Sequence, residues 1–252
     1  MRSIFLEKLN WREVKKAMQE GVDTVVFAVG STEQHGPHLP LACDTLIGES
    51  LAELVAKRLG NAFVAPAVRV GCSQHHMTFA GTISIEPPVL QEILLSYLQT
   101  LFQHGFARVV MIPSHGGNFA TVGEVARIGR EKWPDKQVIT FADLTLLINA
   151  SFKVSAEDGV SNGAAGVHAG EVETSILLLR HPDLVDMSRA EEGYTGEFTP
   201  IIPDLMKHGI ARVSANGVLG DPRKASAERG KRYLQAWVDL IIAEIERTHA
   251  VA

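Results

Sequence analysis

Glu33, His35, His38 and Asp44 fall within twelve positions of one stretch, Ser31 to Glu49, which reads STEQHGPHLPLACDTLIGE. Carboxylates and imidazoles packed this closely, among glycine and prolines, suit a divalent metal better than a solvated turn. Glu33 and His35 are two positions apart, so in an extended turn both side chains can point to the same side. Asp44 lies just before an expected helix, where its carboxylate could bridge two ions and the helix N-terminus would tolerate the charge. Two more stretches carry reactive side chains: His115 to Asn118 (HGGN) and His168 to Glu173 (HAGEVE). A lone histidine in a loop is more often structural, but three such loops in one chain favour metal chemistry.

The elements that must position these loops can be read from hydrophobic patterning. Thr24 to Val29 (TVVFAV) is a continuous apolar run ending at Gly30, the pattern of a buried parallel strand. Ala107 to Ile112 (ARVVMI) is a second such run, leading straight into Pro113-Ser114-His115. Both reactive loops therefore leave the carboxyl ends of strands, where open α/β sheets bind ligands. Phe63 to Ala65 and Gln137 to Phe141 are further strand candidates, and Gly81 to Glu86 alternates as a short strand would. Helical spacing is expected over Trp11 to Glu20, Leu46 to Leu59, Pro87 to Phe102, Phe119 to Trp133 and His168 to Arg180. Asn118 is expected to cap the Phe119 helix, and Asp221-Pro222 to start the last one. That last helix places Leu234, Trp237, Val238, Ile241, Ile242 and Ile245 on one face. Ser155 to Val167 reads as a loop, and Tyr194 to Ser214 as irregular.

The 252 residues are 46% hydrophobic and 21% charged, ordinary for one soluble α/β domain, and no linker divides them. A net charge of -5 and no basic run argue against nucleic acid as a partner. No stretch has the length and apolarity of a membrane span, and the charged N-terminus lacks a signal-peptide core. Two cysteines imply no disulfide framework. A cytoplasmic enzyme is the expected setting.

The motifs resemble those of the creatininase (creatinine amidohydrolase) family. They are GSTEQHGPHLPL with Asp44, SHGGN at 114–118, HAGEVETS at 168–175 and GVLGDP at 217–222, in the expected order along most of the chain. The resemblance implies a single three-layer α/β/α domain over residues 1–252 with a mostly parallel central sheet. It also implies a two-metal hydrolytic centre, with zinc the first choice and manganese or iron as others, and a ring-like homo-oligomer, often a hexamer. By the same resemblance Glu33 and His115 would hold one metal, His35 the other, and Asp44 both. A water between the ions would be the nucleophile, His168 would pass a proton to the departing nitrogen, and Glu173 would lie beside the second metal or its water.

The chain departs from creatinine-hydrolysing members at two places. Those members have Tyr-Glu directly after the second metal-binding histidine, where this chain has Gly116 and Gly117. They also have a substrate-stacking Trp four residues before the catalytic histidine, where this chain has Ala164. The HGGN version is similar to relatives acting on formamide-bearing pyrimidine intermediates, on an inosose-derived lactone and on a peptide cofactor precursor. The leading expectation is an amidohydrolase acting on a small non-peptide C–N bond, a cyclic amide or formamide. A peptidase or lactone hydrolase with the same centre is the second reading, and a non-catalytic metal-stabilised oligomer the third. Glu173 is the residue placed to replace the carboxylate lost at Gly117. His38 is read either as a support for the ligands or as a turn-shaping residue. His75 and His76 are pocket or solvated residues, Glu171 a solvated helix residue, and Cys43 a buried inert thiol, with a thiolate metal ligand as its lesser alternative.

Overall fold

A computed structural model describes residues 2–249, with the side chain of His249 excepted. Four strands form one all-parallel sheet: β1 (Thr24–Val29), β2 (Ala62–Val64), β3 (Arg108–Pro113) and β4 (Gln137–Thr140), in the order β2-β1-β3-β4. β1 pairs along its whole length with β3, Thr24 opposite Arg108 and Val29 opposite Pro113. The connection from β2 to β3 crosses over β1, so the order reverses between β1 and β3. At that switch point the carboxyl ends of β1 and β3 release the loops of Glu33 and His115 side by side.

Alternation along the strands divides the core in two. Val25, Phe27 and Val29 of β1, with Val109 and Met111 of β3, face a cluster filled from α1 (Trp11–Gln19), α3 (Pro87–Gln103) and α4 (Phe119–Lys132). Val26, Val110 and Ile112 face the other layer, made by α2 (Cys43–Leu59), α5 (Leu144–Glu157), α7 (Glu171–Arg180) and α9 (Ala227–His249). Both faces are covered, which is why β1 reads as an unbroken apolar run rather than an alternating one. The face expected on α9 from Leu234 to Ile245 is buried in that second layer. Among the described residues no helix is long and apolar enough to cross a membrane.

Several local expectations are corrected. α2 starts at Cys43, so Asp44 is its second residue rather than a residue before it. Gly81 to Glu86 forms no strand; Thr32–Ile83 and Gly71–Ser84 are isolated bridges. The expected loop at 155–167 begins as the end of α5 and contains α6 (Asn162–Ala165). Within 194–214 lie α8 (Ile202–His208) and two short 3-10 turns. Asp221 accepts from the Arg223 amide and caps one 3-10 turn, while α9 starts only at Ala227. Asn118 does not cap α4. Its amide nitrogen donates instead to the carbonyls of Val29 (3.1 Å) and Gly30 (2.9 Å), and its oxygen accepts from the Cys72 amide at 3.0 Å. It thereby ties the exits of β1 and β3 to the 71–81 loop.

Candidate metal centre

Close packing at the sheet edge fixes where α2 begins. A Cβ at Gly48 would overlap Ser114 and sit 2.7 Å from the Ala28 Cβ, so glycine lets α2 lie directly on β1 and β3. Ser114 Oγ donates to the Asp44 carbonyl at 2.8 Å. Asp44 is thereby held between the two loops, with Oδ2 accepting from Ser31 Oγ at 2.6 Å. Glu33, His35, Asp44 and His115 are all buried.

The hydrogen bonds on the outer side of each imidazole decide what the inner side offers. His35 Nδ1 lies 3.1 Å from the Glu33 carbonyl oxygen, which can only accept, so Nδ1 carries the proton. His35 Nε2 then presents a lone pair, 3.2 Å from Asp44 Oδ1 and 3.8 Å from Glu173 Oε2. His115 repeats the arrangement with its nitrogens exchanged. Nε2 donates to the Cys72 carbonyl at 3.1 Å, and Nδ1 faces Asp44 Oδ2 at 3.1 Å and Glu33 Oε1 at 3.3 Å. Both Glu33 oxygens are buried without a hydrogen-bond partner. Lone-pair nitrogens aimed at carboxylate oxygens repel unless something positive lies between them. Protons or divalent cations are the two candidates, and oxygen and imidazole donors with backbone-anchored outer nitrogens suit a cation well. The donor set therefore fits a divalent metal, and Asp44 turns one oxygen to each histidine.

Without a cation the charges redistribute as that picture requires. Burial lowers the His35 and His115 rings, but Cys43 and Asp44 around His35, and Glu33 and Asp44 around His115, outweigh it and raise both well above the usual histidine range. Burial would raise the Glu33 carboxyl, yet His115 and His76 hold it below the carboxylate range. Glu173 moves the other way, to about 7, because burial and the Asp44 charge prevail over His35. The Ala169 amide donates to Glu173 Oε2 at 2.6 Å. Ala169 has φ +50°, the single non-glycine left-handed residue among those described, and this strained turn presents His168 to the centre.

His168 Nε2 lies 2.8 Å from the Gln34 carbonyl and 2.9 Å from the Gln34 side-chain nitrogen. The carbonyl can only accept, so Nε2 donates to it and Nδ1 is the nitrogen that faces Glu33 Oε1, at 3.7 Å. Burial, with the nearby His35 and His76 rings, keeps His168 neutral, well below the usual histidine range. It can therefore take up a proton at Nδ1. The Gln34 amide nitrogen lies 2.9 Å from His76 Nδ1 and 3.2 Å from the Gly217 carbonyl. His76 Nε2 in turn faces Glu33 Oε1 at 3.3 Å. Gln34 does not stand out in the sequence, since it does not titrate; His76, read there as either a pocket or a solvated residue, is buried against Glu33.

The structure brings Glu33, His35, Asp44, His115, His168 and Glu173 to one place. His38 sits behind them, its Nε2 2.9 Å from Thr174 Oγ1, bracing the motif loop against α7. His75 lies flat beside His115, ring centroids 5.7 Å apart. Glu171 is not solvated as expected. It is buried, accepting from Tyr233 Oη (2.5 Å), Arg229 Nε (2.6 Å) and Ser175 Oγ (2.5 Å), and it locks α7 to α9. A cavity of about 910 Å³ opens above the centre, walled by Gly116, Gly117, Phe152, Phe198, Met206 and Trp237.

The family profile described as creatinine amidohydrolase matches residues 7–245. The chain belongs to the creatininase family. It is 34% identical over 234 residues to the mycofactocin precursor peptide peptidase of Mycobacterium tuberculosis, covering 89% of this chain and 85% of that protein. It is 28% identical over 247 residues to the creatinine amidohydrolase of Pseudomonas putida, 94% of each. A solved structure described as creatininase Mn superposes with TM-score 0.80 at 27% identity, covering 98% of each chain. With that membership and the clustered metal donors, the chain is a metal-dependent hydrolase acting on carbon–nitrogen bonds.

Proposed function

We propose that this creatininase-family chain hydrolyses a small non-peptide amide, cyclic amide or formamide at a two-metal centre. The observation that carries this reading is the pair of inward-facing imidazole nitrogens, His35 Nε2 and His115 Nδ1, each facing its own oxygen of Asp44. Glu33 and His115 would hold one ion, His35 and Glu173 the other, and Asp44 both. Bound there, the ions would supply activation of water near neutral pH and polarisation of the amide carbonyl. Zinc is the first choice, with manganese or iron as alternatives.

His168 performs the proton transfer. Its Nε2–H is committed to the Gln34 carbonyl, so Nδ1 is the atom that accepts a proton at the centre and delivers it to the leaving nitrogen. Gln34 and His76 hold that ring and Glu33 in register. The apolar walls limit water and orient the substrate's non-reacting part.

Creatinine does not suit this site. The cavity of about 910 Å³ lies near the top of the roughly 300–1,000 Å³ range of small-molecule pockets, far more than one five-membered ring fills. Gly116 and Gly117 leave that space open, and Gly117 offers no carboxylate. The same width, with the 34% identity to a peptide peptidase, supports a second reading in which the scissile amide belongs to a short peptide. Family membership supports a homo-oligomer, which we take as a hexamer, and two free cysteines accord with a reducing, cytoplasmic setting.

A hydrolysis screen of metal-loaded protein over cyclic amides, formamides, lactones and short peptides tests the reading. Turnover of a cyclic amide or formamide, lost in His168→Ala with bound metal unchanged, is the expected result. Turnover of peptides alone establishes the second reading. Activity untouched by His168→Ala removes the proton-transfer role.

A further inference from the structure

The half of the centre around His35 has one donor that the two-metal reading leaves unused. Cys43 is fully buried, and its sulfur, a His35 ring nitrogen and a Glu173 oxygen all lie within 4.8 Å of one another. Cys43 and Asp44 are consecutive at the start of α2, about 100° apart around the helix. Yet both reach the His35 ring, Asp44 Oδ1 at 3.2 Å from Nε2 and the Cys43 sulfur within 4.8 Å of a ring nitrogen. A shared target for two neighbouring helix residues is what an ion seated between them would produce.

The ligand inventory points the same way. Gly117 supplies nothing, and no side chain can be added there without overlapping the Cys72 carbonyl. The second ion would otherwise have His35 Nε2, Asp44 Oδ1 and Glu173 Oε2. The last of these already accepts from the Ala169 amide at 2.6 Å and lies 3.8 Å from His35, the loosest contact of the set. Burial pushes the Cys43 thiol up to about 12, so it is coordination to an ion, and not its place in the helix, that would make the sulfur a thiolate.

We propose that Cys43 is a thiolate ligand of the second metal ion, replacing the carboxylate that Gly117 cannot provide. This rests on the two-metal reading above. As the metal–sulfur bond forms, the Sγ–H bond breaks and its proton leaves to solvent, with no change of oxidation state. A soft thiolate in this half-site favours zinc over manganese there, whereas the Glu33–His115 half has only oxygen and imidazole donors.

Zinc-edge X-ray absorption on the zinc-loaded full chain tests the assignment directly. The expected spectrum contains a sulfur shell at about 2.3 Å, averaging one sulfur per two zinc ions, beside nitrogen and oxygen at roughly 2.0–2.2 Å. Cobalt(II)-loaded protein should show a sulfur-to-cobalt charge-transfer band in the near ultraviolet, absent in Cys43→Ser and kept in Cys72→Ser. Cys43→Ser should also weaken the second ion by at least about 100-fold, the upper end of what partners outside the ligand shell cost. Two zinc ions per chain with only nitrogen and oxygen neighbours would overturn the proposal and leave the two-metal reading intact. A charge-transfer band lost in Cys72→Ser and kept in Cys43→Ser would overturn it as well. Fewer than two ions in the unaltered chain would remove the two-metal reading and the inference together.

Discussion

Gly116 and Gly117 are neighbours in sequence with opposite tolerance for a side chain, and alanine substitution at each separates them. A Cβ at Gly116 meets nothing nearer than Leu144 Cδ2 at 3.8 Å. A Cβ at Gly117 overlaps the Cys72 backbone carbonyl and lies 2.6 Å from His115 Nε2. Those two atoms are hydrogen-bonded to each other at 3.1 Å, so neither can retreat without loosening the other. Overpacking of this kind costs about 1–3 kcal/mol, and loss of the His115 bond adds about 1 kcal/mol. Gly117→Ala should therefore destabilise by about 2–4 kcal/mol, or roughly 4–16 °C in Tm at about 2–4 °C per kcal/mol for a chain of this size. Gly116→Ala should be neutral or stabilising by up to about 1 kcal/mol, because it only restricts the unfolded chain. The assay is thermal unfolding of both variants at equal metal loading. Equal melting temperatures for the two would refute the packing argument. The same overlap means that Gly117→Glu should not restore creatinine hydrolysis, since the backbone must move before the carboxylate can reach the centre.

Other outcomes follow from the same structure. Arg229→Ala leaves Glu171 buried beside Tyr233 without its cation and should cost about 3–5 kcal/mol; chemical denaturation checks it, and a change under 1 kcal/mol would mean that Tyr233 and Ser175 suffice. Metal binding should be proton-linked. In the metal-free site His35 and His115 stay protonated at neutral pH because their rings are raised, and a ligand imidazole must give up that proton. Affinity should then rise with pH through neutrality, and adding zinc to weakly buffered protein should acidify it by at least one proton from each ring; no acidification would contradict the protonation pattern. Ala169→Val, placing a β-branched residue at φ +50°, should lower both stability and activity, while Ala169→Gly should preserve the fold, as melting curves and turnover can show.

What the sequence made legible was whatever depends on neighbours in the chain. β1 and β3 are uninterrupted apolar runs because both faces of the sheet are covered, and the loops they release carry their reactive residues in one short stretch each. The α9 face repeats at helical spacing over several turns, so it too could be read. The rest depends on partners far away. Glu171 looks solvated until Arg229, 58 positions on, is folded against it. Asn118 follows a local capping rule, but the carbonyls of Val29 and Gly30, 89 and 88 positions back, claim its amide. α5 has Asn, Ser and β-branched residues that weaken its helical pattern, and packing against α9, with Trp237 Nε1 donating to Ser151 Oγ at 2.9 Å, settles it. Gln34 carries no charge, so only its position against His76 and His168 reveals its part in the site.

Elemental analysis of the purified chain and of Asp44→Ala tests the central claim most directly. Asp44 is the residue that offers one oxygen to His35 and the other to His115, at 3.2 and 3.1 Å, so both half-sites depend on it. The account expects two divalent ions per chain in the unaltered protein, and loss of both in Asp44→Ala with the fold retained. Full occupancy in Asp44→Ala would contradict it.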